Sequence, residues 1–510
     1  MKVAIILFDD KSNKWNYKNE VFDFFIEALF KLSKTYDVIG WCYFSDDENA
    51  LLEQIKSKKD FIPEMVTFGS HLFGENTEYL EASNVYFNSF SKKENHSYDT
   101  WRIRSNSGYI STSVLNELKE YKYPSDYKTS LGILAFSAHK IGAIVSVSNN
   151  GDFKKDGIEK LNNKEYVVFL SYTKKRQWLI FNSVINLFFN KKIFFSFKNY
   201  YSNNYQKYNT KPSIWRDLEF ESSNIKQKTV DIVIPTLGRP NFVYDTLKSI
   251  NKLDYKFNDV HIIEQKLPNQ KSTILEKSLN EDWHFSINHI LLDKLGLCNA
   301  RNIGFKESKA DYIIMFDDDI LIDYQPQIIE NLIYKLEISK SKIISFASNN
   351  KKGNAFLEMS YFVSGCSFMI KNDNILPFNQ EIEGMGADDQ EYNYSIRNKY
   401  QRVVYTNEQY INHLRAPMGG WRFDAKTYLP WYHDNNIDVL PGVATTYRYL
   451  KYATKNQLKG YKFFTFYRYY GFNIFKYFIF NKNLNKSILW STKVLKGKVQ
   501  IDVSKGIKKE

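Results

Sequence analysis

Apolar positions along the first 197 residues alternate between two spacings. A short apolar run in "KVAIILF" gives way to "VFDFFIEALFKLSK", amphipathic at helical spacing, and then to "YDVIGWCYF". Strand, helix, strand is the signature of α/β organisation, and the later runs "AIVSVS" and "YVVFLSY" continue it. Between Asn199 and Lys228 the chain turns polar, "NYYSNNYQKYNTKPS" leading to "ESSNIKQK", which reads as a linker. At Thr229 a second alternation begins: "VDIVIPT" as strand, "NFVYDTLKSINKL" as helix, "DVHIIEQ" as strand, "CNARNIGFKES" as helix and "DYIIMF" as strand. Elements of these lengths predict a mostly parallel sheet flanked by helices, preceded by a separate Rossmann-like α/β domain. The expected layout is 1–198 as an N-terminal α/β domain, 199–228 as linker, 229–445 as a second α/β domain and 446–510 as a helical C-terminal segment.

Length supports this division, because 510 residues exceed what one hydrophobic core organises. With 43% hydrophobic and 25% charged residues the chain has the composition of a folded globular protein. Three distant cysteines, Cys42, Cys298 and Cys366, give neither a disulfide framework nor a zinc spacing, and a reducing compartment is the simplest reading. The opening "MKVAIILFDD" is too short for a signal-peptide core, and no window has the apolar length of a membrane span. A cytoplasmic protein, soluble or peripheral to a membrane, is expected.

The chemistry gathers where "IIMFDDDILID" sets three consecutive carboxylates, Asp317, Asp318 and Asp319, directly after a buried strand. Adjacent carboxylates raise one another's pKa unless a cation offsets the repulsion. Mg²⁺ or Mn²⁺ does so with oxygen ligands, and open α/β sheets bind ligands at the carboxyl ends of their strands. A solvated turn or a helix cap is the plain alternative for such a run.

Neighbouring motifs decide between these. "DIVIPTLGRP", "LGLCNARNIGFKES", "YIIMFDDDI", "FVSGCSFMI" and "GADDQEYNYSIR", in this order, resemble the family 2 glycosyltransferases of the GT-A fold over about 229–421. The resemblance implies that Pro235, Thr236 and Arg239 lie against the nucleotide and that Glu264 takes the place of the acid contacting the base. It implies further that Arg301 and Asn302, opening a helix, face the pyrophosphate. Asp317 and Asp319 stand as the DxD pair, the first near the ribose and the last on the metal, with Asp318 sharing either role. Asp389, beside Asp388, stands as the general base that takes the acceptor proton. That role needs a carboxylate ionised near neutrality, which an unperturbed one is. His413 completes the metal site or touches the diphosphate, with Arg415 and Arg422 as secondary phosphate contacts. Ser364 and Gly365 let the sugar approach the backbone.

Each position has a plainer reading as well: a surface charge for Arg301, helix capping for Asp388 and Asp389, packing for His413, a β-bulge for Ser364 and Gly365. Taken together, the resemblance implies an inverting, metal-dependent hexosyltransferase-type enzyme, moving sugar from a nucleotide diphosphate donor to a glycan or lipid-linked acceptor in surface polysaccharide synthesis. An inactive scaffold of the same shape, or a two-metal phosphoryl transferase or nuclease, would also want clustered acids.

The net charge of +13 is concentrated in the last 64 residues, where fifteen Lys or Arg meet only Asp502 and Glu510. "KGYKFFTFYRYYGFNIFKYFIFNKNLNKSILW" interleaves rings and cations, which suits the cytoplasmic face of an anionic membrane. Packing against the catalytic domain and single-stranded nucleic acid binding are the competing readings, the last disfavoured.

Overall fold

The computed structural model describes residues 1–58, 62–74, 77–80, 97–148, 153, 158–190, 205–209, 211, 213–216, 225, 227–267, 269–322, 325, 327–348, 353, 355–360, 363–399, 401–416, 441–471 and 473–497. The chain forms two compact units. The first comprises Met1–Leu218, Asn354–Met359 and Thr454–Phe463, and the second Glu219–Gly353, Ser360–Ala453 and Phe464–Glu510.

In the first unit, strands β1 (Val3–Asp9), β2 (Lys14–Tyr17), β3 (Glu20–Phe22), β4 (Val38–Cys42), β5 (Glu64–Phe68), β6 (Tyr98–Asp99), β7 (Ser107–Ser111) and β8 (Ile144–Val147) form a sheet in the order β3-β2-β1-β4-β7-β5-β8-β6. Only β1 with β4 and β5 with β8 run parallel, so the expected Rossmann-like arrangement is replaced by a mixed sheet. The cause begins at the first turn. The Asp9 carboxylate accepts Lys11 N at 3.1 Å and Ser12 Oγ at 2.6 Å, and Asn13 at φ 54° folds the chain straight back into the β2–β3 hairpin.

The run "YVVFLSY" lies in a helix, Asn163–Thr173, rather than extending the sheet. Asn162 and Glu165 form a reciprocal capping box there, which satisfies the free N–H groups of the first turn. Part of the expected linker is also structural. Trp215 is fully buried and donates to Gly142 O at 3.0 Å, and Gln206 pairs with both backbone groups of Lys122.

The second unit contains β9 (Val230–Thr236), β10 (Asp259–Gln265), β11 (Ser286–Leu292), β12 (Tyr312–Phe316), β13 (Ile320–Leu321) and β14 (Ile343–Ser348). After β15 (Glu358–Met359), which belongs to the first unit's segment, come β16 (Ser367–Lys371) and β17 (Val403–His413). The order is β11-β10-β9-β12-β16-β14-β17-β13. From β11 to β12 the strands are parallel, but β16 is antiparallel to both of its neighbours, and β13 is antiparallel to β17. The expected mostly parallel sheet is therefore parallel in one half and mixed in the other.

Its core joins Val233, Ile263, Ile313, Met315, Phe368 and Tyr392. The helix Leu297–Glu307 lies so close to β9 that a Cβ at Gly304 would meet Val233 Cγ1 at 2.2 Å. Close approach of this kind fixes where the helix sits over the strand ends.

The helices Val443–Tyr452 and Tyr477–Leu495 pack together and onto Ile382 and Met385 through Val443, Ala444, Tyr447 and Val494. Their burial answers part of the question posed by the basic segment, because one face of it is core. The other face leaves Phe475 92% exposed, Phe478 79% and Ile479 54%. Among the described residues no helix is long and apolar enough to cross a membrane.

Candidate active site

β12 delivers Asp317, Asp318 and Asp319 to the carboxyl end of the parallel strands, and each is placed differently. Asp318 is buried and bound to the first loop: Thr236 Oγ1 donates to it at 2.6 Å and Arg239 Nη1 at 2.8 Å. Burial pushes its carboxyl up to about 6 despite these partners. It locks the loop after β9 to the loop after β12. The three acids thus form no solvated turn.

Asp319 is also buried, and His413 Nε2 approaches its Oδ1 at 3.0 Å while Ala416 N donates to Oδ2 at 2.7 Å. Burial works against the charged form, but His413, the Ala416 N–H and Arg239 outweigh it, so the carboxyl stays below its usual range. His413 stands at the end of β17, where β13 pairs with it, and its Nε2 is also 3.8 Å from Asp317 Oδ2. The Asp319 carboxylate, followed by the Cys366 sulfur, pushes the imidazole up to about 10.

Ligand atoms of Asp317, Asp319 and His413 all lie within 4.8 Å of one another. Asp319 Oδ1 is buried without a well-aligned hydrogen bond. Two carboxylates and an imidazole this close fit a small divalent cation, which would take the place of the proton that the same field holds on His413. A second group, Asp231, Asp259 and His261, is consumed differently. Asp231 accepts the backbone N–H groups of Asp259, Lys309 and Ala310, at the opposite strand ends.

Arg301 joins the acidic run to the second pair. Its guanidinium is buried, with Nη1 on Asp388 and Nη2 on Gly365 O at 3.0 Å and Asp317 at 3.4 Å. A surface charge it is not. Gly365 leaves the room: a Cβ there would stand 3.2 Å from both Arg301 Nη2 and Asp389 Cβ. Beside it, Ser364 N donates to Ser345 Oγ at 2.9 Å.

Asp388 and Asp389 open the helix Asp388–Asn398 after Gly384, Gly386 and Ala387, all at positive φ. Ala387, not an aspartate, is the N-cap, so the capping reading fails, although both acids sit in the favourable first turn. Burial, with repulsion from Asp388, pushes the Asp389 carboxyl up to about 6. An unperturbed carboxylate was expected, and the enclosure of this loop is why it differs.

The helix Val443–Tyr452 holds the chain on both sides of Asp388 and Asp389. Tyr447 Oη donates to Glu381 at 2.8 Å, Lys451 Nζ and Tyr452 Oη reach Glu391 Oε1 at 2.7 and 2.6 Å, and Arg448 binds Gln390.

Three expected contacts are consumed inside the fold. Asn302 clamps the backbone of Phe378, accepting its N–H at 2.6 Å and donating to its carbonyl at 2.9 Å, which commits both ends of the amide to that backbone. Nor do Arg301 and Asn302 open their helix, which begins at Leu297. The N–H groups of Cys298 and Asn299 donate to the Glu383 carboxylate at 3.1 and 3.0 Å. Glu264 is fully buried and accepts from Gln270, Thr273, His289 and Ile274 N.

Pro235 continues β9 beside Ile263, and Arg415 is exposed at φ 57°. Arg422 lies outside the described residues. Glu383 escaped the sequence reading. Its one signal was an acid next to the glycines of "EIEGMGADD".

Carboxylates, a histidine and a guanidinium gathered at the strand ends of an α/β sheet define a candidate cation-assisted active site for an anionic substrate. Residues 231–363 match the family model described as "Glycosyl transferase family 2", and this part of the chain is a family 2 glycosyltransferase domain. Among solved structures the chain is similar to S. aureus TarS 1–349 in complex with UDP-GlcNAc, at 13% identity over 52% of this chain and 81% of that one, TM-score 0.36. It is also similar to the mannosyltransferase PcManGT from Pyrobaculum calidifontis in complex with GDP-Man and Mn²⁺, at 10% identity over 56% and 80%, TM-score 0.33. Comparison with curated proteins gives no match.

Proposed function

We propose that the second unit transfers a sugar from a nucleotide diphosphate donor to a hydroxyl of a glycan or lipid-linked acceptor, with inversion, in surface polysaccharide synthesis. The observation carrying this reading is the Arg301 bridge, which ties the Asp317–Asp319–His413 group to the Asp388–Asp389 loop in one site. Asp317, Asp319 and His413 would hold Mg²⁺ or Mn²⁺, whose chemistry is to stabilise charge on a departing diphosphate. Asp318, Thr236 and Arg239 keep the donor loop against the acids. Asp389 receives the acceptor proton, and its raised pKa makes it a better base at neutral pH than a free carboxylate. Backside attack by one hydroxyl inverts the anomeric centre.

A panel of nucleotide sugars with Mn²⁺ and an acceptor extract tests this by nucleotide release and product anomer. Release in the wild type and its loss in Asp319→Ala and Asp389→Asn are expected. Nucleotide binding with no turnover would favour a scaffold, and cleavage of nucleic acid a phosphoryl transferase.

The reading extends to a membrane partner. Phe475, in the turn before the last helix, and Phe478 and Ile479, in its first turn, are all exposed, and between Tyr447 and Ile501 the sequence contains no acid. Exposed rings backed by cations suit an anionic lipid surface.

A further inference from the structure

Taken each by itself, the two sheets repeat one another. The first unit runs β1-β4-β7-β5-β8-β6 and the second β9-β12-β16-β14-β17-β13. Directions agree at every step: parallel, antiparallel, antiparallel, parallel, antiparallel. Registers agree too. Cys42 faces Ser107 as Phe316 faces Ser367, and each is the last residue of its strand. Only the edge strands differ in chain order, β6 following β5 where β13 precedes β14. On the far side of β1 the antiparallel hairpin β2–β3 replaces the parallel pair β10–β11.

Matching Cys42 to Phe316 sets Leu7 level with Ile234. It follows that Phe8 occupies the place of Pro235, Asp9 that of Thr236, Tyr43 that of Asp317 and Phe44 that of Asp318. The chemistry of the two strand ends is therefore opposite. Where the second unit has carboxylates, the first has rings: Phe8 stacks on Tyr43 at 4.4 Å, Tyr43 on Tyr127 at 5.6 Å, and Phe44 meets Tyr43 edge-on at 5.3 Å. Asp9 is occupied by its turn. Among the described residues, the candidate metal-binding groups lie in the second unit alone. A nucleotide diphosphate thus finds neither cation ligands nor the parallel strands that wall the donor crevice.

A sugar finds more. Phe8, Tyr43 and Phe44 are half-buried, so part of each residue reaches the surface, with exposed Asp10 close enough that its charge helps burial raise the Tyr43 phenol. The apolar C–H face of a pyranose packs on such rings, and its hydroxyls donate to a neighbouring carboxylate.

We propose that the first unit is a second transferase-type sheet without a donor site, and that the ring cluster at its strand ends holds the acceptor glycan. The word acceptor rests on the function proposed above; the binding itself does not. Full-length protein titrated calorimetrically with UDP and GDP, each with Mn²⁺, is expected to take one nucleotide per chain and none in Asp319→Ala. Two nucleotides per chain would overturn the proposal.

Titration with neutral hexasaccharides of glucose, N-acetylglucosamine and N-acetylgalactosamine, without donor, is expected to show binding to at least one. Tyr43→Ala and Phe44→Ala should weaken it tenfold or more, with Tyr43→Phe near wild type and nucleotide affinity unchanged. Phe44 stands T-shaped to Tyr43 at the rim of the stack, so its variant gives the readout if Tyr43→Ala does not fold. No hexasaccharide binding at millimolar concentration, or unchanged affinity in the ring variants, refutes it. Glycan binding without any sugar transfer would count against the proposed function alone.

Discussion

Replacing Asp389 with asparagine should make the protein more stable and less active at once. Its carboxyl is pushed from 3.8 to about 6, so above pH 6 the fold holds a charge that burial and Asp388 oppose. A shift of about 2 units is worth roughly 3 kcal/mol, and solvent at the partly exposed side chain trims that to about 1–3 kcal/mol. The sign follows from linkage. A carboxyl whose folded pKa is raised favours the folded state when protonated, so the penalty is absent below pH 3.8, grows between there and 6, and is complete above. Asparagine has no such penalty and about the same shape.

Thermal unfolding of both proteins from pH 4.5 to 8 should therefore show the variant gaining on the wild type as pH rises, then levelling off. In parallel, transfer should fall by about 10²–10⁴-fold, and wild-type kcat/KM should drop below pH about 6, where the base is protonated. A stability difference independent of pH, or an asparagine variant less stable at pH 8, would show that Asp389 is not held as described.

Other outcomes follow from the same contacts. Asp319→Ala should abolish Mn²⁺ binding, read by electron paramagnetic resonance of the free ion, and sugar transfer together, while His413 returns toward an ordinary imidazole pKa in an NMR titration. Asn302→Leu should lower stability by about 2–4 kcal/mol, because both Phe378 backbone groups lose their partner, with nucleotide affinity unchanged. The pair Phe475→Ser and Phe478→Ser should weaken sedimentation with phosphatidylserine vesicles by roughly two orders of magnitude, at about 2 kcal/mol per ring less incomplete insertion. Equal loss on neutral phosphatidylcholine would point to rings without the cations.

Much of the second unit was legible because its elements announce themselves locally. "DVHIIEQ" is β10 to the residue, and "VDIVIPT" is β9 with Val230 as its first position. Strand direction is another matter. Alternation of side chains is the same in both senses, so the reversed β16 and the β2–β3 hairpin left no trace in periodicity.

The site divided along the same line. Asp317, Asp319 and His413 lie together at strand ends, and Arg301 ties them to the loop of Asp388 and Asp389 that opens a helix. The partners of Asn302 and Glu264, Phe378 and His289, could not be read from the sequence, because they come from segments whose approach only the folded chain defines. Within "YVVFLSY", the helix was decided by Asn162 outside the run.

The grip of Tyr447, Arg448, Lys451 and Tyr452 on Glu381, Gln390 and Glu391 has a practical side. Shortening the chain ahead of Val443, the obvious way to strip off the sticky cationic end and gain a well-behaved reagent, would also unmoor the loop bearing the proposed base. An inert truncated enzyme would then say nothing about lipids. The useful cut falls later, or is replaced by point changes at the exposed rings.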